Sequence, residues 1–133
     1  MKTNTNVRSA DTKQPRAMSK YMFLFRGGEP GIDPMTDPAG FGAYMQTWQT
    51  WMENIAKSGK YLGGDPLEPT GVTVSGKAMK VTDGPFIEGK EIVGGYVILE
   101  AASIEEAVEL SKGCPIYTHD GVVEIRPVQH VDF

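Results

Sequence analysis

The chain reads as an α+β protein of the ferredoxin-like, split βαβ kind, with a hairpin insertion and a dimeric α/β-barrel type of assembly. Two observations predict this. Hydrophobic periodicity changes along the chain in the order strand, helix, strand, hairpin, strand, helix, strand, the pattern of an antiparallel sheet with both helices on one face. In addition, the strands at 20–26 and 93–99 are apolar on both faces, so helices can cover only one side of the sheet. The cheapest cover for the other side is a second copy of the chain, which makes a homodimer the expected partner state.

Composition sets the outer bounds. The 133 residues are 40% hydrophobic, enough for one domain with a real core and too few for two. A net charge of −4 and the lack of any Lys/Arg cluster argue against nucleic acid as a partner, because phosphates demand clustered cations. The single cysteine, Cys114, rules out an internal disulfide, and no Cys/His spacing suggests a metal site. No apolar run approaches the ~20 residues of a membrane span, and the polar N-terminus does not read as a signal peptide, so a cytoplasmic setting is expected. Residues 1–18 are polar and aperiodic, the composition of a tail; the domain proper is read as 19–133.

The first strand, 20–26, directs Tyr21, Phe23 and Phe25 one way and Met22 and Leu24 the other. A Gly- and Pro-rich loop follows at 27–36. Asp37-Pro38 is a helix start, Asp as N-cap and Pro at the first helical position. Phe41, Tyr44, Met45, Trp48, Trp51, Met52, Ile55 and Ala56 then recur at helical spacing as a stripe expected to be buried, and Gly59 stops the helix. Both tryptophans lie in the stripe and are read as core rather than as stacking platforms.

Residues 61–67 form a short, interrupted strand, and residues 72–74 and 79–81 flank Ser75-Gly76-Lys77 as a hairpin. This hairpin ends at Asp83 and reads as an arm presenting the residues that follow. In 93–99, Tyr96 and Ile98 oppose Val97 and Leu99, and Gly94-Gly95 suggests a bulge or a close backbone approach. Ser103 and Glu106 make a capping box for a short helix running to Gly113. Cys114, just beyond a helix C-terminus, is read as packing rather than as a nucleophile. His119 sits in a turn at 116–121, as a surface residue or as an acid/base near neutral pH. In the last strand, 122–128, Val123 and Ile125 face one way and Glu124 and Arg126 the other, with Pro127 marking an edge. Glu124 and Arg126 are either an ion pair at a subunit boundary or an anion clamp.

The densest chemistry lies at 82–91, Thr-Asp-Gly-Pro-Phe-Ile-Glu-Gly-Lys-Glu, immediately before the most apolar strand. Gly84 and Pro85 stiffen a bend behind Asp83, whose carboxylate either closes an Asx turn or is held out as a base. Beside it stand Phe86, Glu88 and Lys90.

This Asp-Gly-Pro-Phe motif is followed by Lys90-Glu91, Gly94-Gly95-Tyr96, Glu105-Glu106-Ala107-Val108, Cys114-Pro115 and the terminal run Val123-Glu124-Ile125-Arg126-Pro127-Val128. In that order and spacing the chain resembles, over roughly residues 19–129, the DGPF-type branch of the YCII-related family. The resemblance implies a ferredoxin-like fold that dimerises sheet to sheet. Members of the wider family are thought to use a His-Asp pair, from which this chain departs: its first helix has no histidine, and its two, His119 and His130, lie near the C-terminus.

Two functional readings follow. In one, a small-molecule pocket lies between the sheet and the bend, with Asp83 as general base, Arg126 holding an anionic ligand or enolate, and Pro85, Phe86, Glu88, Lys90, Tyr96, His119 and Glu124 around it, working without a cofactor. In the other, the protein is a non-enzymatic dimeric binding or regulatory module, linked by the same resemblance to transcription control of the sigma-factor type.

Overall fold

The computed structural model describes residues 18–87 and 92–132. The tail expected at 1–18 therefore lies outside the described residues except for Met18, as do Glu88 and Lys90. In chain order the elements are β1 (Ser19–Arg26), α1 (Pro38–Lys57), β2 (Tyr61–Pro66), β3 (Val72–Ser75), β4 (Lys80–Asp83), β5 (Val93–Ala101), α2 (Ile104–Ser111), a 3-10 turn (Pro115–His119) and β6 (Val122–Pro127). β2, β5, β1 and β6 lie side by side in that order as one antiparallel sheet, while among the described residues β3 and β4 pair only with each other. The fold is α+β, and its strand order agrees with a ferredoxin-like arrangement carrying an inserted hairpin.

Alternation along the strands separates the two faces of the sheet. On the inner face Tyr21, Phe23, Phe25, Val97, Leu99 and Ala101 are buried against Trp51 and Ile55 of α1, Ala107 of α2, and Cys114 and Ile116 beyond it. Trp51 stacks on Phe23 with ring centres 6.3 Å apart, and its indole N–H donates to the carbonyl of Leu110 at 3.0 Å. Trp48 meets Phe25 edge-on at 5.2 Å. The tryptophans are thus core, and the polar handle of the buried one is satisfied.

The caps form as their residues dictate. Asp37 accepts the amide of Gly40 at 3.0 Å ahead of Pro38, and the amide of Gly59 returns to Ala56. Ser103 accepts the amide of Glu106 at 3.1 Å. Glu106 reaches one residue further back than a standard capping box, to the amide of Ala102 at 2.6 Å, and its second oxygen lies 3.5 Å from the Lys60 ammonium.

The α1 stripe is corrected by the structure. Of the eight residues expected to be buried, only Trp51 and Ile55 are; Phe41, Tyr44, Trp48 and Met52 are half-buried, and Met45 and Ala56 are exposed. A helix touches a flat sheet along a narrow line, so a stripe more than ~100° wide leaves its margins uncovered. One margin, with Met45, Trp48, Met52 and Ala56, forms with Tyr61 an apolar groove beside β2.

Gly95 meets the expectation of close approach, since a Cβ there would stand 3.2 Å from the carbonyl of Asp65 on β2. A bulge lies opposite, between Phe25 and Arg26. Pro127 ends β6 on the outside of the sheet, where a missing amide breaks no ladder.

Candidate functional site

Among the described residues no helix lies on the outer face of the sheet. β1 turns Met22, Leu24 and Arg26 to this side, β5 turns Tyr96, Ile98 and Glu100, and β6 turns Glu124 and Arg126. Register sets their neighbours: Met22 stands between Ile98 and Arg126, and Leu24 between Tyr96 and Glu124. An apolar strip of Met22, Leu24 and Ile98 is therefore bordered by polar groups.

Two pairs order that border. The Arg26 guanidinium donates to Glu124 at 3.2 Å, and the pair is half-buried. The Tyr96 hydroxyl donates to Asp65 at 3.0 Å. That hydrogen bond, and after it the negative charge of Asp65, raises the Tyr96 pKa above its ordinary value, so Tyr96 is a donor and not a base at neutral pH. Arg126 has no hydrogen-bond or ion-pair partner among the described residues, although it lies only two positions from Glu124 on the same face.

The bend follows β4, on the chain leading to β5. The Leu67 amide donates to the Gly94 carbonyl at 2.9 Å, fixing where the chain leaves β2, and the Gly84 amide donates to Gly71 at 2.8 Å, closing the base of the arm. The Thr73 hydroxyl donates to the Gly84 carbonyl at 2.8 Å. Gly84 has φ +96°, a conformation that favours glycine, and it alone makes the turn. The Asp83 carboxylate accepts no hydrogen bond among the described residues, so the Asx turn is not formed and the group is held out, exposed. Pro85 is half-buried, while Phe86 is 72% exposed.

His119 stands elsewhere. It lies in the helical layer with its ring 5.4 Å from Tyr44 of α1, and the structure does not bring it to the outer face. Cys114 is buried, and burial pushes its thiol up to about 12, as a packing residue requires. Two concavities border α1, the groove beside β2 and a second beside Gly113–Thr118; neither includes the bend. Among the described residues no cluster of His, Cys, Asp and Glu is arranged to hold a metal ion, and no helix is long and apolar enough to cross a membrane.

Two residues of the face, Arg26 and Asp65, escape sequence reading. Arg26 continues the alternation of Met22 and Leu24, a signal that was available in the strand. Asp65 had none, because its meeting with Tyr96 depends on β2 lying beside β5.

The model of the YCII-related domain matches residues 42–132, from early in α1 to beyond β6. No protein of curated function matches the chain. With about two thirds of its length matched, the chain belongs to the YCII-related domain family.

Proposed function

We propose that the protein is a dimer of the DGPF branch of this family, binding a small organic molecule on the outer face of its sheet, beside the Asp83 bend, and doing acid/base chemistry on it without a cofactor. The observation that supports this is the makeup of the face: an apolar strip bordered by a hydroxyl–carboxylate pair, an ion pair and the unpartnered Arg126. A surface of that kind suits a ligand with a small apolar body and an oxyanion, either the carboxylate of an organic acid or the enolate of a carbonyl compound.

In this reading Asp83 takes a proton from the carbon next to a carbonyl. The C–H electron pair becomes the C=C bond, and the negative charge moves to the carbonyl oxygen, where the Arg126 guanidinium receives it. Tyr96, whose one O–H is given to Asp65, offers the ligand its oxygen as an acceptor. Phe86, with Pro85 behind it, covers the apolar body.

The test is hydrogen–deuterium exchange. Small 2-oxo acids such as pyruvate are incubated with the protein in D2O, and loss of the α-proton signal is followed by NMR. The expected result is exchange faster than in buffer, lowered by about 100-fold or more in Asp83→Asn. Exchange at the buffer rate across a panel of carbonyl acids, together with no binding by calorimetry, would overturn the chemistry.

One observation favours the second reading, the dimeric regulatory module of the sigma-factor type. The arm exposes an apolar strip, and Phe86 and Ile87 lie open beside it, as a protein-docking element would. Binding of carbonyl acids without exchange would move the balance toward that reading.

A further inference from the structure

Cross-strand register sets out the outer face in rows. Asp65, Tyr96, Leu24 and Glu124 make one row across β2, β5, β1 and β6, and Gly63, Ile98, Met22 and Arg126 make the next. Asp65 and Arg126 therefore stand at opposite corners. At ~4.8 Å between strands and ~3.4 Å per residue along them, their Cα positions are about 16 Å apart, less the reach of the two side chains between the charges themselves.

The Asp65 corner has the makings of a cation site. Tyr96 gives its one O–H to one oxygen of Asp65 at 3.0 Å, which leaves the other carboxylate oxygen and the phenol oxygen, both of them acceptors. A neutral tyrosine cancels no charge, so the negative charge of Asp65 stays in place. The corner is also open. Gly63, two positions before Asp65 on β2, would place a Cβ with nothing within 4 Å, and for Gly94, two positions before Tyr96 on β5, the nearest atom would be 3.9 Å away.

The other carboxylates of the face have cations for neighbours. Glu124 accepts from Arg26 at 3.2 Å, and Glu100 has Lys20 directly opposite it across β5 and β1. Asp65 has only Tyr96 opposite it, and no ion-pair partner among the described residues. Between the two corners runs the apolar strip of Leu24, Ile98 and Met22.

We propose that the ligand of this face is a zwitterion of the ω-amino acid type, an apolar chain with its oxyanion at Arg126 and a protonated amino group at Asp65 and Tyr96. The inference rests on the ligand site proposed above and names the substrate class that it takes. An ammonium brings three donors and no acceptor, which is what two acceptor oxygens and a negative charge select. A carboxylate at the same corner meets like charge and no donor, so the corner also fixes which end of the ligand goes to Arg126. An α-amino acid does not fit, because its two charges flank a single carbon and cannot reach both corners.

Calorimetry on matched acids tests this. The probes are 6-aminohexanoate and 8-aminooctanoate against hexanoate and octanoate, with 2-aminooctanoate as the acid whose charges lie together. The chain with a terminal amino group is expected to bind at least about tenfold more tightly than the plain acid of the same length, as one charge-assisted contact allows, and more tightly than 2-aminooctanoate. Asp65→Asn keeps an acceptor for Tyr96 and removes the charge, and the preference for the amino group should vanish in it. Arg126→Gln should weaken both kinds of acid alike and so keep the preference. Circular dichroism checks that each variant is folded.

Plain acids that bind as tightly as their amino counterparts would overturn the zwitterion and leave the anion site standing. A preference that survives in Asp65→Asn would place the amino group elsewhere, and would overturn the assignment of the corner. Equal binding of 2-aminooctanoate and 8-aminooctanoate would overturn the two-corner geometry. No binding by any of the five would overturn the face as a ligand site, and the inference with it.

Discussion

The two faces of the sheet are built from the same four strands and have opposite characters. The inner face carries Phe23 and Leu99 at full burial among stacked and edge-on aromatic rings. The outer face, one residue along in each strand, carries Met22, Leu24 and Ile98 among Arg26, Glu124, Tyr96 and Arg126. The difference teaches where to look for function. The inner face packs ring against ring and satisfies the indole N–H of Trp51, and its thiol is protonated and inert. The outer face leaves an apolar strip and the Arg126 guanidinium without partners among the described residues.

The largest effect that would break this comparison is a truncation on each face. Phe23→Ala should cost about 3–5 kcal/mol in urea unfolding, the range for an aromatic side chain removed from a packed core. Leu24→Ala, its neighbour on the outer face, should cost about 1 kcal/mol or less in dilute protein, and more as concentration rises under the dimer proposed above. Equal costs for the two at every concentration would mean that the faces do not differ in the way described.

A smaller effect concerns the edge of the helical layer. The Ala102 amide holds the Glu106 carboxyl below its ordinary pKa; burial pushes the other way, and Lys60 nearby adds to the lowering. Because the folded pKa is the lower one, the stabilisation is present above the ordinary carboxylate range and is lost as pH falls through the folded value. Glu106→Gln should therefore be less stable than the parent at pH 7, and the gap should close on acidification. A gap that persists to pH 2 would show that charge is not its source.

The smallest effect is spectroscopic and lies on the outer face. Tyr96 should ionise at a higher pH than an ordinary tyrosine, since Asp65 holds its proton. The sign is the reverse of that for Glu106: the contribution to stability is present below the ordinary tyrosine pKa of 10.0 and is lost as pH rises through the folded one. Alkaline ultraviolet titration of the parent against Tyr96→Phe isolates this group. Asp65→Ala should bring it back toward the ordinary range, and no change would remove the pair from the site.

Much of this could be read in advance, and the residues say why. Tyr21, Phe23 and Phe25 against Met22 and Leu24 is a statement about alternation, and alternation is a property of the strand itself. Asp37-Pro38 and Ser103…Glu106 act within one turn of a helix, so local sequence suffices. The width of the α1 stripe misled, because how much of a helix a sheet can cover depends on the sheet. The bend at Asp83 was located, but the Asx turn it allows did not form.

What the sequence determined by itself is the set of elements, their caps and the two-faced character of the strands, since each follows from interactions within a few residues or from side-chain period. The tertiary structure decided which polar groups meet. Tyr96 and Asp65 are 31 positions apart and Arg26 and Glu124 are 98 apart. Such pairs exist only because the strand order sets β2 beside β5 and β1 beside β6, and strand order is chosen by the packing of the whole chain.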